Sequence, residues 1–169
     1  MLKVKDEGII LRKTDHEFEN RAVLNPSCIQ VGDITHMFYR AVSRDEVSSI
    51  GYCQLQDNKV IKRLKAPVIF PEYEYEKKGV EDPRVTHFDG TYHLFYTAYD
   101  GFNALIAYAT STDLVHFVKH GLISPKITYD ESEAIFRSAK VRERYSMFEM
   151  LYKEKLGQEV LLFEKDASL

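Results

Sequence analysis

Gly79-Val80-Glu81-Asp82-Pro83-Arg84 opens a segment that reads VEDPRVTHFDGTYHLFYTAYDG over residues 80–101. Asp and Pro are both poor strand residues, so an acid pair ahead of a proline is an unusual way to begin a strand. One reading is a turn whose Asp caps a neighbouring amide. The other is a polar group placed there for chemistry. The surrounding chain bears on the choice, because it repeats itself around this point.

Asn25-Pro26-Ser27-Cys28-Ile29-Gln30-Val31 leads through a Gly32-Asp33 turn to His36-Met37-Phe38-Tyr39-Arg40-Ala41-Val42, and then to Ser49-Ile50-Gly51-Tyr52-Cys53. In the same order stand Asp82-Pro83-Arg84-Val85-Thr86-His87-Phe88, the turn Asp89-Gly90, His93-Leu94-Phe95-Tyr96-Thr97-Ala98-Tyr99 and, after a second Asp-Gly loop, Leu105-Ile106-Ala107-Tyr108-Ala109. The displacement from Asn25 to Asp82 is 57 residues, the same as from Phe38 to Phe95, with a one-residue slip before Ile106. Each unit reads as short β-branched and aromatic strands joined at hairpin spacing. Fourth strands are expected at Lys59-Val60-Ile61-Lys62 and Val115-His116-Phe117-Val118. A four-stranded antiparallel unit recurring every 40–60 residues or so is the signature of a β-propeller blade. Two meanders of a β-sandwich are the competing architecture, and the agreement at the polar starts of the units argues against them. The blade-like units are expected at about 24–70 and 81–125, with Gly8-Ile9-Ile10-Leu11 as a short strand ahead of them.

After Pro125 the texture changes. Thr128-Tyr129-Asp130-Glu131 reads as a capping box, and Ile135, Ala139, Tyr145, Phe148, Tyr152 and Leu156 recur near helical spacing before Gly157. The expectation is an amphipathic helix over about 128–156, an insertion spanning 127–157, and the start of a third unit over 159–169 with Asp166 in the place of Asp82. The whole of 1–169 is then one partial propeller domain. Because a propeller closes with roughly four to eight blades, open edges lead to an expectation of self-association.

Composition narrows the classes. A chain of 169 residues with 44% hydrophobic and 29% charged residues is long enough for one domain with a core. A net charge of −3 with interspersed signs gives no reason to expect nucleic acid or an anionic membrane. Cys28 and Cys53 each lie in strand-like runs and read as buried, reduced thiols. The six histidines lack ligand spacing, so no metal and no cofactor is expected. The N-terminal residues form no apolar run of signal-peptide length, which points to a cytoplasmic location.

In a propeller the starts of the innermost strands converge on one channel mouth. Asn25, Asp82 and Asp166 are therefore candidate site residues, with Arg40 and Arg84 near them. An arginine beside a carboxylate favours its charged form, so Arg84 is expected to pair with Glu81 or a neighbouring unit rather than with Asp82. The motifs Asn25-Pro26-Ser27, Tyr39-Arg40-Ala41, Val80-Glu81-Asp82-Pro83-Arg84-Val85, Tyr96-Thr97-Ala98-Tyr99-Asp100-Gly101, Ala109-Thr110-Ser111, Lys119-His120-Gly121 and Lys165-Asp166-Ala167 resemble glycoside hydrolase family 130, in order from about residue 20 to the last.

That resemblance implies a five-bladed propeller about twice this length, of which this sequence is the N-terminal half, acting on β-mannosides or manno-oligosaccharides. It implies inverting phosphorolysis to mannose 1-phosphate, with Asp82 as general acid acting through a sugar hydroxyl and inorganic phosphate as co-substrate. Asn25 and Arg40 would contact the sugar, and Glu81, Arg84, Tyr99, Asp100 and Asp166 would complete the substrate-binding set. Tyr39, Tyr96, Tyr99 and Phe102 are rings that can stack on sugars, although strands of this kind need most of them for packing. Hydrolysis of β-mannosides, which needs a carboxylate base from elsewhere, and glycan binding without turnover are the alternatives.

Overall fold

The computed structural model describes residues 8–123. The chain divides into two compact units, Met1–Lys126 and Ile127–Leu169, and the described residues belong to the first. The expected helix over 128–156, the third unit and Asp166 lie outside the described residues.

Eight strands and two single 3-10 turns make up what is described, a nearly all-β structure consistent with a partial β-propeller-like fold. The strands are β1 (Ala22–Val31), β2 (Ile34–Val42), β3 (Ser48–Gln56), β4 (Lys59–Arg63), β5 (Gly79–Phe88), β6 (Thr91–Tyr99), β7 (Ala104–Ser111) and β8 (Val118–Leu122). Strands β1 to β4 pair antiparallel in sequence order, and so do β5 to β8. One parallel bridge, Ser48 to Gly79, joins the two units. The expected repeat is present in the register itself: Ala22 faces Val42 as Gly79 faces Tyr99, and Leu24 faces Arg40 as Glu81 faces Thr97.

Turn chemistry explains the hairpins. Asp57-Asn58 and Asp89-Gly90 take positive φ at both positions, as two-residue connections between right-twisted strands require. Two expectations are corrected. The fourth strand of the second unit starts at Val118, because Val115 and His116 are held by their amides on the Asp113 carboxylate in a tight turn. Gly8-Ile9-Ile10-Leu11 forms no strand, since Ile9 and Ile10 are exposed and find no partner strand.

The main core lies across both units. Phe38, Ile50 and Tyr52 of the first pack with Val80, Leu94 and Tyr96 of the second, and Phe117 meets Phe38 edge-on at 5.7 Å. A smaller cluster of Met37, Tyr39, Ala41, Cys53 and Leu55 fills the other face of the first unit. Cys53 is buried as expected, and burial raises its thiol from 9.0 to about 11. Cys28 is exposed, because β1 is an outer edge of its sheet; the expectation of a buried thiol is corrected there.

A buried acid holds each unit together. Glu19, in the 3-10 turn Glu17–Glu19 ahead of β1, is wholly inaccessible and accepts hydrogen bonds from Tyr39 OH at 2.8 Å and Arg63 Nη2 at 2.7 Å. Glu76, in the turn Glu74–Glu76 ahead of β5, is equally buried and accepts from Tyr96 OH at 2.8 Å and Lys119 Nζ at 2.7 Å. The segment entering each unit is thereby bonded to its second and fourth strands. Arg63 also lies over the Tyr39 ring at 5.3 Å, while Lys119 lies near Phe70 and Tyr73.

A buried ion pair that loses one partner leaves an uncompensated charge, at a cost of about 3–5 kcal/mol. Lys119→Met is therefore expected to lower the denaturation midpoint strongly, and Tyr96→Phe, which removes one hydrogen bond, by the smaller equivalent of about 1–3 kcal/mol. Burial, followed by the adjacent Glu19 and Glu76 carboxylates, raises the pKa of Tyr39 and Tyr96 and keeps both phenols protonated to higher pH, and burial moves Cys53 in the same direction. Groups raised on folding lose protons first in the unfolded chain, so stability falls as pH rises from 9.0 towards about 11. Chemical denaturation of these variants across that range checks both outcomes.

Candidate functional site

The unusual start of β5 is a β-bulge. Register in β5–β6 shifts between Glu81 and Arg84, leaving Asp82-Pro83 as the extra residues, and β1–β2 shifts in the same way between Leu24 and Ser27 around Asn25-Pro26. Asn25 has φ 47° and Asp82 has φ 50°. Asn and Asp enter this left-handed region more readily than other side-chain-bearing residues, because their short polar groups bond locally. Bulges re-aim side chains and interrupt pairing, and they are common beside active sites. Here both bulges turn their polar residue to the same place. Asn25 Nδ2 donates to Asp82 Oδ1 at 2.7 Å, so equivalent positions of the two units meet. Next to them, the Ser27 hydroxyl accepts the Val85 amide at 3.1 Å and ties β1 to β5.

Arg40 and Glu81 complete the cluster. Arg40 Nη2 stands 2.6 Å from Glu81 Oε1, while its Nη1 is 3.8 Å from Asp82 Oδ1, beyond hydrogen-bond reach. The Glu81 side chain is 15% exposed and that of Asp82 38%, so the first is an interior partner and the second faces solvent. Between them lies Ser48, wholly buried at the start of β3, whose Oγ accepts Arg40 Nε–H at 3.0 Å and donates to Glu81 Oε1 at 3.0 Å. This arrangement places an accessible carboxylate beside an amide donor and a cation whose short contact is with a different acid.

The other expected residues fall elsewhere. The partner of Glu81 is Arg40 and not Arg84; Arg84 is exposed and donates through Nη1 to the Pro83 carbonyl at 2.8 Å. The register shift of the bulge lies between Glu81 and Arg84. Tyr99 and Asp100 stand at the end of the sheet where Gly79 starts, but they bond within their own loop. Tyr99 OH donates to the Gly101 carbonyl at 3.0 Å, and Asp100 accepts the Phe102 and Asn103 amides and the Asn103 side chain, which lower its pKa and favour the carboxylate, Asn103 most of all. Tyr39 and Tyr96 are buried in the two acid clusters, as the packing reading required, whereas Phe102 is 78% exposed.

Sequence reasoning missed Ser48, Glu19, Glu76 and Arg63 as organisers. For Glu19 and Glu76 a signal existed, since they repeat at the spacing that relates Asn25 to Asp82. His36 and His93, also equivalent, share hydrogen bonds of 2.6 Å with Tyr52 OH and Tyr108 OH. Among the described residues no group of three His, Cys, Asp or Glu side chains could hold a metal ion, and no helix is long and apolar enough to cross a membrane.

The chain belongs to glycoside hydrolase family 130: the family model described as beta-1,4-mannooligosaccharide phosphorylase matches residues 7–165. It is 31% identical over 165 residues to a 1,2-beta-oligomannan phosphorylase of Thermoanaerobacter sp. (strain X514), covering 90% of this chain and 55% of that one. A beta-1,2-mannobiose phosphorylase of the same strain is 31% identical over 166 residues, covering 88% of this chain and 53% of its own. Among solved structures, a glycosyl hydrolase from Bacteroides ovatus superposes with a TM-score of 0.64 at 25% identity, over 72% of this chain and 40% of that chain. The chain spans about half the length of the curated relatives it matches.

Gly79 is the hinge on which the cluster is built. Its φ is +151°, and a Cβ there would lie 2.7 Å from Ser48 Cβ and 2.9 Å from Ser48 N. Backbone and clash penalties together make Gly79→Ala cost about 2 kcal/mol or more. The substitution is expected to lower the unfolding midpoint and to shift the amide resonances of Ser48, Glu81 and Asp82, which heteronuclear NMR reads directly.

Proposed function

We propose that this chain carries the acid-bearing part of a β-mannoside phosphorylase, with Asp82 as the general acid of an inverting phosphorolysis that yields mannose 1-phosphate. The observation that carries the reading is the placement of Asp82 on a left-handed bulge, accessible, with the Asn25 amide on its carboxylate and the Arg40–Glu81 pair beside it. Family membership and the names of the phosphorylase relatives support the substrate class. In this reading the two four-stranded units are blades of a five-bladed propeller, and the bulges stand at its channel mouth.

The chemistry needs one protein acid. A phosphate oxygen attacks the anomeric carbon as the glycosidic C1–O bond breaks, and the leaving oxygen takes the proton that Asp82 supplies through a sugar hydroxyl. Phosphate itself is the nucleophile, so no second carboxylate is required to activate water, unlike an ordinary inverting hydrolase. Arg40 makes its short contact with Glu81, which leaves its outer face for sugar hydroxyls alongside Asn25. Glu81 acts in this scheme as a partner for Arg40, and Arg84, Tyr99, Asp100 and Asp166 belong to the wider substrate-binding set. No cofactor takes part.

The test is to incubate the chain with β-1,2- and β-1,4-mannobiose, with and without inorganic phosphate, and to assay mannose 1-phosphate. Phosphate-dependent product that Asp82→Asn reduces by about 10²–10⁴-fold is the expected result. Free mannose released without phosphate would make the chain part of a hydrolase instead. Mannobiose binding with no turnover, and with Asp82→Asn costing only a modest loss of affinity, would make it a glycan-binding module.

A further inference from the structure

At the bulges three neighbouring side chains depart from the internal repeat together. Residues that hold the units together are duplicated, as Glu19 with Glu76, Tyr39 with Tyr96 and His36 with His93. Three that surround Asp82 are not. The sheet register equates Arg40 with Thr97, Glu81 with Leu24 and Ser48 with Ala104. Each unit thus contributes what the other lacks, and the three side chains meet only where the units adjoin.

Ser48 is the member with no evident role of its own. It is wholly buried, and it packs so closely on Gly79 that a Cβ at residue 79 would lie 2.7 Å from its own Cβ. Its hydroxyl is used fully, taking the Arg40 Nε–H and giving its own proton to Glu81. Arg40 can therefore turn neither outward to solvent nor onto Asp82 without breaking a bond to Ser48 or Glu81. Of its five donors, the two on Nη1 make no hydrogen bond among the described residues, and they lie on the side of Asp82.

We propose that Ser48 is a positioning residue: its buried hydroxyl clamps Arg40 onto Glu81, so that the guanidinium presents Nη1 beside Asp82 as a preset donor pair for substrate oxygens. The catalytic meaning of the clamp rests on the function proposed above, whereas its geometry does not. Losing the hydroxyl frees Arg40 Nε and costs the ordering of one long side chain each time a sugar binds.

Two readouts test this in the full chain. The first is hydrogen exchange of the Arg40 Nε–H resonance. It should be protected in the wild type and accelerate at least about tenfold in Ser48→Ala, the equivalent of one hydrogen bond. The second is the affinity for β-1,2-mannobiose by calorimetry, expected to weaken about five- to tenfold in Ser48→Ala by the same bond. In an Arg40→Gln background Ser48→Ala should have no further effect on affinity, because there is no guanidinium left to clamp. Ser48→Cys, whose thiol bonds weakly, replaces Ser48→Ala if the latter does not fold and should move both readouts in the same direction. Unchanged exchange overturns the proposal, and so does an equal loss of affinity with and without Arg40, which is the mark of general disruption. A wild type with protected Nε–H and no sugar affinity would leave the clamp standing and remove the proposed function instead.

Discussion

Two carboxylates taken wholly out of water set the geometry of this protein. Glu19 and Glu76 each lie ahead of the first strand of a unit, and each is bonded to a tyrosine of the second strand and a cation of the fourth. An isolated buried charge costs several kcal/mol, so the acid is tolerable only while both partners are in place. The result is that the chain cannot enter a unit at an arbitrary height. Once the entry is fixed, so is the position at which the first strand begins, and with it the bulge residue three positions later. Asn25 and Asp82 meet because both units obey this rule.

From that constraint the site follows with few further requirements. Left-handed backbone at Asn25 and Asp82 demands short polar side chains, and the same residues then serve as donor and acid. Close approach of β3 and β5 demands Gly79, which in turn places Ser48 between Arg40 and Glu81. Arg40, Glu81 and Ser48, which surround Asp82, have no like residue at the equivalent place in the other unit, whereas the buried acid and its tyrosine occur in both. Structure is repeated here and chemistry is not.

Much of this was legible in the sequence for physical reasons. Two-residue turns and alternating aromatic strands announce hairpins, and the displaced copy of the pattern announces their equivalence, so the eight strands fell close to where expected. The second unit's last strand was misplaced because Val115 and Phe117 are good strand residues, and nothing local shows that Asp113 captures the intervening amides. Glu81 and Asp82 could be named because an acid pair ahead of a proline conflicts with strand propensity, Asn25 because the repeat places it where Asp82 stands, and Arg40 because of the family resemblance. Their pairing could not: the sequence offered Arg84 to Glu81 or to a neighbouring unit, whereas Glu81 takes Arg40, which reaches it from β2. Ser48 carried no signal, since a serine opening a strand is unremarkable until its neighbours in space are known.

The central claim is that the adjoining bulges form a ligand site for a β-mannoside, with Asp82 at its centre. Mapping chemical-shift changes on titration with β-1,2-mannobiose in the presence of phosphate tests it most directly. The account predicts perturbations centred on Asn25, Arg40 and Asp82 that fade along β1 and β5. Perturbations confined to other surfaces, such as the exposed ends of β4 and β8, with the bulge residues unmoved, would contradict it.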